Sequence, residues 1–324
     1  MRPALVCVLL LLAFGSAEAA PRALSRDDIN AAAIANTPSR NSQAANIKAQ
    51  VLLDRARFSP GAIDGRRGEN FANALRVFQS QNGLPASGEL DAATFEKLTQ
   101  DAGPVMIEYT ISAKDVAGPF SDKIPGKFEK KARLKRLDYT GPAEMLAERF
   151  HMSEDLLAAL NRGKDFDQAG TVITVANVNV KPAALDAAIG KVEVDKGQKS
   201  VRALAPDGKL LAFYPASVGS EEKPAPSGTL KIVRVAHSPT YVYNPEFRFR
   251  GVKAKRKLKI AAGPNNPVGV VWIALDQKSY GIHGAPEPDR VGKAASHGCV
   301  RLTNWDALAL ARMVKKGTVV EFLE

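Results

Sequence analysis

Cysteine is almost absent from these 324 residues: Cys7 and Cys299 are the two present, beside four histidines and two tryptophans. Two thiols so placed cannot build a disulfide framework, so stability must come from packed cores, and 45% hydrophobic residues suffice for those. Long apolar runs are missing too. The stretch 4–14 falls short of the roughly 20 residues a spanning helix needs, and no other segment comes near it, so no transmembrane anchor is expected. Acidic residues are outnumbered, 34 against 45 basic ones, and residues 190–324 hold most of the excess, with 22 Lys and Arg against 12 Asp and Glu. Aromatic residues make up 6% of the chain, and none interrupts Lys253-Ala254-Lys255-Arg256-Lys257-Leu258-Lys259, so the stacking platforms of a nucleic-acid binder are lacking. No nucleic-acid partner is expected. The charge suits an acidic polymer, or is a solvated strand edge.

What is present begins with Arg2, the apolar stretch 4–14 and Ala17-Glu18-Ala19, the pattern of a secretory signal over residues 1–20. Only six residues precede Cys7, and Ala4-Leu5-Val6 lacks the small residues expected before a lipid-bearing cysteine. Removal of the signal thus leaves Cys299 as the sole thiol of an exported protein, periplasmic or wall-associated. Residues 21–43 are polar, rich in Ala, Asn and Ser, and without apolar period; they read as a linker with no core.

The rest divides into three units, a multidomain α+β chain. Residues 44–100 read as three short helices: one ending near Phe58, one over 69–82 stopped by Gly83-Leu84-Pro85, and one over 91–98 capped by Asp91. Ile63-Asp64-Gly65, Gly68, Ala74, Phe78-Gln79, Gly83-Leu84, Gly88, Leu90-Asp91, Thr94 and Leu98 resemble the peptidoglycan-binding domain carried by many wall enzymes. Residues 105–180 read as strand, helix, helix, strand, the order of a LysM carbohydrate-binding unit. Tyr139-Thr140-Gly141, the segments Leu146 to Phe150 and Leu156 to Asn161, and Gly170-Thr171-Val172-Ile173 resemble its pattern. An insertion of about 30 residues, including the basic stretch from Lys127 to Arg136, separates the first strand from the helices, and the usual closing proline is missing. Glycan binding and a spacer packed against the last unit are both open for it. Residues 183–324 are rich in β-formers, with one convincing helix from Asn304 to Lys315, and read as a mainly β, sandwich-like domain.

Cys299 sits in Ser296-His297-Gly298-Cys299-Val300-Arg301, sixteen positions after His283. A thiol attacks a carbonyl well only as thiolate, so it needs a base within reach or a positive neighbour. His283, His297 and Arg301 are the candidates, and the amides of Gly298 and Cys299 could form an oxyanion hole. Chemistry alone leaves an inert buried cysteine open. Structural zinc is disfavoured, because His-x-Cys is not a usual ligand spacing and no second cysteine is near. No metal and no cofactor is expected.

Tyr280-Gly281-Ile282-His283-Gly284, the twelve residues from Gly284 to Ala295, and Ser296 through Asp306 resemble the active-site signature of YkuD-type L,D-transpeptidases; Gly263-Pro264-Asn265-Asn266-Pro267 and Trp272-Ile273 resemble the segment before it. The resemblance spans about residues 192–322. It implies Cys299 as nucleophile and His283 as general base, oriented by the Gly284 carbonyl. His297, Gly298, Ser296 and Gly284 fall on the positioning or oxyanion side, and Arg301, Tyr280 and Asn304 on the substrate side, Asn304 and Asp306 also bracing the following helix. His237 matches no catalytic position. The implied reaction is attack on the third-residue to D-alanine bond of a peptidoglycan tetrapeptide stem, release of D-alanine, and transfer of the acyl group to an amine of a second stem or of an envelope protein. Two alternatives share these residues: a non-catalytic wall binder with a degenerate last domain, and a thiol hydrolase.

Overall fold

The structure, a computed structural model, describes residues 24–34, 42–100, 103–178, 189–220, 223–247, 252–294 and 298–324. The expected signal segment lies outside them, as do Ser296 and His297. The stretch read as a coreless linker differs from that reading in its described part. Helix α1 (Arg26–Asn30) forms there, with Ser25 and Asp28 capping each other reciprocally, and Ile29 is fully buried. The side-chain oxygen of Asn30 accepts the amides of Val105 and Met106, and its amide donates to the Met106 carbonyl at 3.0 Å. Five residues carry too little periodicity to announce burial; their core is supplied by other segments.

Three further helices follow: α2 (Gln43–Arg55), α3 (Glu69–Gln81) and α4 (Ala92–Thr99). Ser42 caps α2 and Asp91 caps α4, each side chain accepting an orphan amide of the first turn. Ile47, Leu53, Leu75 and Phe78 fill the space between them. The next unit pairs β1 (Met106–Thr110) antiparallel with β2 (Val172–Ala176), and between them lie α5 (Ala113–Val116), α6 (Phe128–Lys131), α7 (Pro142–Arg149) and α8 (Glu154–Leu160). The strand, helix, helix, strand order is present, with α5 and α6 inside the insertion. Its hydrophobic core, including Met106, Leu146 and Val175, is continuous with that of the preceding helices.

The last unit holds β3 (Lys191–Asp195), β4 (Ser200–Leu204), β5 (Leu210–Pro215), β6 (Ser217–Val218), β7 (Gly228–His237), β8 (Tyr241–Tyr243), β9 (Leu258–Ile260), β10 (Val271–Leu275), β11 (Gly281–His283), β12 (Val300–Arg301), α9 (Asn304–Met313) and β13 (Val319–Leu323). Nine strands form its large sheet, four on each side of β7, in the order β5-β4-β3-β13-β7-β10-β11-β12-β6, while β8 and β9 pair separately. Ten residues long, β7 pairs with β13 through its first half and with β10 through its second, so it joins the two halves of the sheet. Both halves share one core. Val192 and Val201 from one side meet Ile273 and Ile282 from the other, with Ala307 and Leu310 of α9 between them.

The three units are docked through polar contacts as well as apolar ones. Phe213 of β5 exchanges backbone hydrogen bonds with Arg57 and Ser59, and the Ser59 hydroxyl donates to the Asp306 carboxylate at 2.9 Å. His151, beyond α7, faces Asp54 through Nδ1 at 3.1 Å and stacks on Trp305 with ring centroids 5.0 Å apart. Burial pushes Asp306 up to about 7, with the Asp54 charge adding to it. Burial likewise raises Glu148 to about 7. At His151 burial opposes the charge, but the Asp54 carboxylate outweighs it and the imidazole stays above its ordinary value.

Two outcomes follow from this packing. Ile29→Ala should lower the unfolding free energy by about 2–5 kcal/mol in urea melts, the usual cost of emptying a closed aliphatic site; a change below about 0.5 kcal/mol would mean that α1 is not seated. The junction makes stability pH-dependent. Groups whose folded pKa is raised contribute stability that is present below the unfolded value and lost as pH rises through the folded one. The melting temperature should therefore fall between about pH 4 and 7, and Asp306→Asn, which cannot ionise, should flatten that slope.

Candidate active site

The site lies where β11 meets β12. These two short strands run parallel, with Ile282 opposite Val300 and His283 opposite Arg301. One step back along both strands sets Cys299 beside Gly281, and the two-residue period of strands then puts Cys299 and His283 on the same face. Both line one cleft of about 770 Å³, together with Tyr280, Trp272 and Arg301. Gly298, just before the thiol, has φ +101°, a left-handed conformation that glycine adopts cheaply.

His283 is buried, and its Nδ1 lies 2.7 Å from the Gly284 carbonyl. A carbonyl only accepts, so Nδ1 carries the proton. Burial, reinforced by the positive charge of Arg301, pushes the imidazole down to about 3, so the ring is neutral at ordinary pH. Nε2 therefore keeps its lone pair, the requirement for a general base. The Trp272 indole stacks on the ring at 5.4 Å and 22° and fixes its plane.

Cys299 is partly buried, and its Sγ lies 3.6 Å from the Ser279 carbonyl. Burial pushes the thiol up to about 11, against the opposing pull of the Gly281 backbone hydrogen bond and of Arg301. The resting pair is thus thiol and neutral imidazole.

Tyr280, Arg301, Gly298 and Gly284 all stand at or beside the cleft, and Ser296 and His297 lie outside the described residues. Asn304 needs correction. Placed on the substrate side by the resemblance, it is 1% exposed and sits behind the cleft, at the first turn of α9. Its Oδ1 accepts the Val270 amide at 3.2 Å, and its Nδ2 donates to the Glu148 carboxylate at 2.9 Å. A β-carbon on Gly284 would collide with that Oδ1, which is why residue 284 has no side chain. Asn304 is a brace that holds the turn after His283. His237 ends β7 exposed, away from the cleft. Among the described residues no group of three His, Cys, Asp or Glu is placed to hold a metal ion.

Four contributors escaped sequence reasoning. Trp272 appears in the signature, but its stacking on His283 depends on the β10–β11 register, which sets the two residues opposite each other. Glu148 reaches Asn304 from another unit. Phe128 and Lys131, from the basic insertion, line the cleft itself; no local pattern announces either contact.

A mixed sheet shares one core with a single helix and brings a thiol and a neutral imidazole together at adjoining parallel strands, a pairing suited to nucleophilic chemistry. Residues 190–322 match the family model of the L,D-transpeptidase catalytic domain, YkuD, and residues 43–98 match that of a putative peptidoglycan binding domain. The last unit is thus similar to the YkuD-type L,D-transpeptidase catalytic domain. A putative L,D-transpeptidase YkuD of Bacillus subtilis is 30% identical over 129 residues, 40% of this chain and 63% of the relative. A second, of Bacillus licheniformis, is 47% identical over 57 residues, 18% of this chain and 34% of the relative. The probable L,D-transpeptidase YbiS of Escherichia coli is 26% identical over 190 residues, 57% of this chain and 61% of the relative. The chain thus spans between a third and two thirds of the length of these relatives.

The ionisation of the pair sets how Cys299 meets an electrophile. Alkylation of the native protein by iodoacetamide should rise about tenfold per pH unit between pH 6 and 9, following the thiolate fraction of a raised thiol. A pH-independent plateau below pH 7 would instead reveal a preformed thiolate–imidazolium pair.

Proposed function

We propose that this protein is an exported L,D-transpeptidase of the cell wall, with Cys299 as nucleophile and His283 as general base. The observation that carries the reading is the geometry of the pair: a neutral imidazole, proton fixed on Nδ1, on the same cleft face as the chain's described thiol. In the reaction, Sγ attacks the carbonyl of the third residue of a tetrapeptide stem as Nε2 takes the thiol proton. The tetrahedral intermediate collapses to a thioester, and the imidazolium returns its proton to the departing nitrogen of D-alanine. An amine of a second stem, or of an envelope protein, then attacks the thioester while Nε2 accepts its proton, and the thiol is regenerated. Backbone amides of Gly298 and Cys299 would receive the negative charge on oxygen.

The match of residues 43–98 to a peptidoglycan-binding model supports the wall as substrate, since binding there raises the local concentration of stems. The signal-like residues 1–20 support export. For the middle unit, its hydrogen bonds to the catalytic domain favour packing against that domain over independent glycan binding.

The test is release of D-alanine from isolated tetrapeptide stems by purified variants whose circular dichroism matches the parent. Cys299→Ala should lower turnover at least about 10³-fold, and His283→Ala about 10²- to 10⁴-fold, the range for loss of a nucleophile or a general base. Undiminished turnover by the cysteine variant would end the proposal.

A further inference from the structure

The catalytic cleft is completed by the middle unit. Its insertion crosses to the last domain and is fastened there at several points. Phe128 of α6 meets the rings of Tyr241 and Tyr243 edge to face, with centroids 5.8 and 5.7 Å away. The Glu129 carboxylate accepts the Lys253 amide at 3.0 Å. Further along, the Leu137 amide donates to the Ala262 carbonyl at 3.0 Å, and the Leu137 carbonyl accepts the Asn265 amide at 3.0 Å. The Asn265 side chain also donates to the carbonyl of Asp138 and the carboxylate of Glu144. Gly126, Phe128 and Lys131 thereby become part of the wall of the cleft that holds Cys299 and His283.

Lys131 is the charged member of that wall and is half-buried. Among the described residues Glu287 is the one acid that acts on it, and Glu287 is already engaged with Arg290 Nη1 at 2.8 Å. Burial pulls its ammonium below the ordinary lysine value, with the Glu287 charge opposing. Lys223, Lys278 and Arg301 line the same cleft, against Glu246 and Glu287, so the cleft is net positive. A half-desolvated ammonium facing a positive cleft is costly unless the occupant is an anion.

We propose that Lys131, supplied by the insertion of the middle unit, binds a carboxylate of the acyl donor and so helps the catalytic domain select an anionic peptide. The assignment rests on the transpeptidase reading above. It gives the insertion a role in substrate choice that is separate from wall binding, and it makes the cleft of the catalytic domain incomplete without the unit before it.

The test compares full-length parent, Lys131→Met and Lys131→Arg on tetrapeptide donors that carry free carboxylates, and on donors in which one carboxylate at a time is converted to the carboxamide. With the free donor, Lys131→Met should raise KM about 10- to 100-fold, the worth of one hydrogen bond to a charged group, with kcat within threefold. Lys131→Arg should restore most of the loss. Amidating the recognised carboxylate should weaken the parent similarly, and on that donor the methionine variant should lose nothing more. Iodoacetamide should label Cys299 of the variant at the parental rate, as expected for an intact site. No rise in KM, or the same loss on every donor, would overturn the assignment while leaving parental turnover in place. A parent inactive on every donor would overturn the transpeptidase reading and this assignment with it.

Discussion

The parallel pairing of Gly281–His283 with Val300–Arg301 is the constraint on which the rest of the site depends. Only two or three residues contribute on each side, and these short strands hold little stability of their own. They are held because β11 is also zipped to β10 and β12 to β6, at the end of a sheet whose other half packs into the same core. A parallel register also places residues of equal face side by side, so a histidine at one strand end and a cysteine just before the next share a cleft without any sequence proximity. The Nδ1 bond to Gly284 and the Trp272 stack then choose the tautomer and the plane of the ring. Burial supplies the electrostatics, holding the thiol high and the imidazole low so that both are neutral.

Behind the cleft, polar contacts tie the catalytic domain to the units before it. Asn304 joins the start of α9, the strand entry at Val270 and Glu148 of α7 in one buried set of hydrogen bonds. Glu148 also accepts from Tyr139 at 2.7 Å, and beside it Asp54, His151 and Asp306 bring all three units to one point. Buried ionisable groups of this kind fix an arrangement more than they stabilise it, since each must be desolvated before it is paired. Their positions explain why the first helices, the middle unit and the large sheet adjoin each other.

Much of this was legible in the residues. The helices over 69–81 and 92–99 carry apolar spacing of their own, the second also its Asp91 cap, and the alternating strands β10 and β13 declare themselves by period. The signature around Cys299 and His283 singled out the pair that the fold brings to one cleft. What was not legible is of one physical kind: burial or contact supplied by a distant segment. Helix α1 has five residues, and Ile29 is buried by other helices. Strands β6, β11 and β12 are too short to alternate. The bracing role of Asn304 was legible beside the substrate-side one, but its partners, Glu148 and Val270, were not. The insertion around Lys131 read as a basic loop because nothing in its own sequence says which surface it covers.

The central claim, that Cys299 carries the acyl group of a wall peptide, is tested most directly by trapping it. Protein mixed with a tetrapeptide stem in the absence of an acceptor amine, quenched in acid and analysed by intact-mass and peptide mass spectrometry, should gain the mass of the donor minus D-alanine. The adduct should sit on the peptide bearing Cys299 and be released by hydroxylamine, as a thioester is. D-alanine release with the adduct on another residue, or with no covalent intermediate under conditions of slow deacylation, would contradict the account.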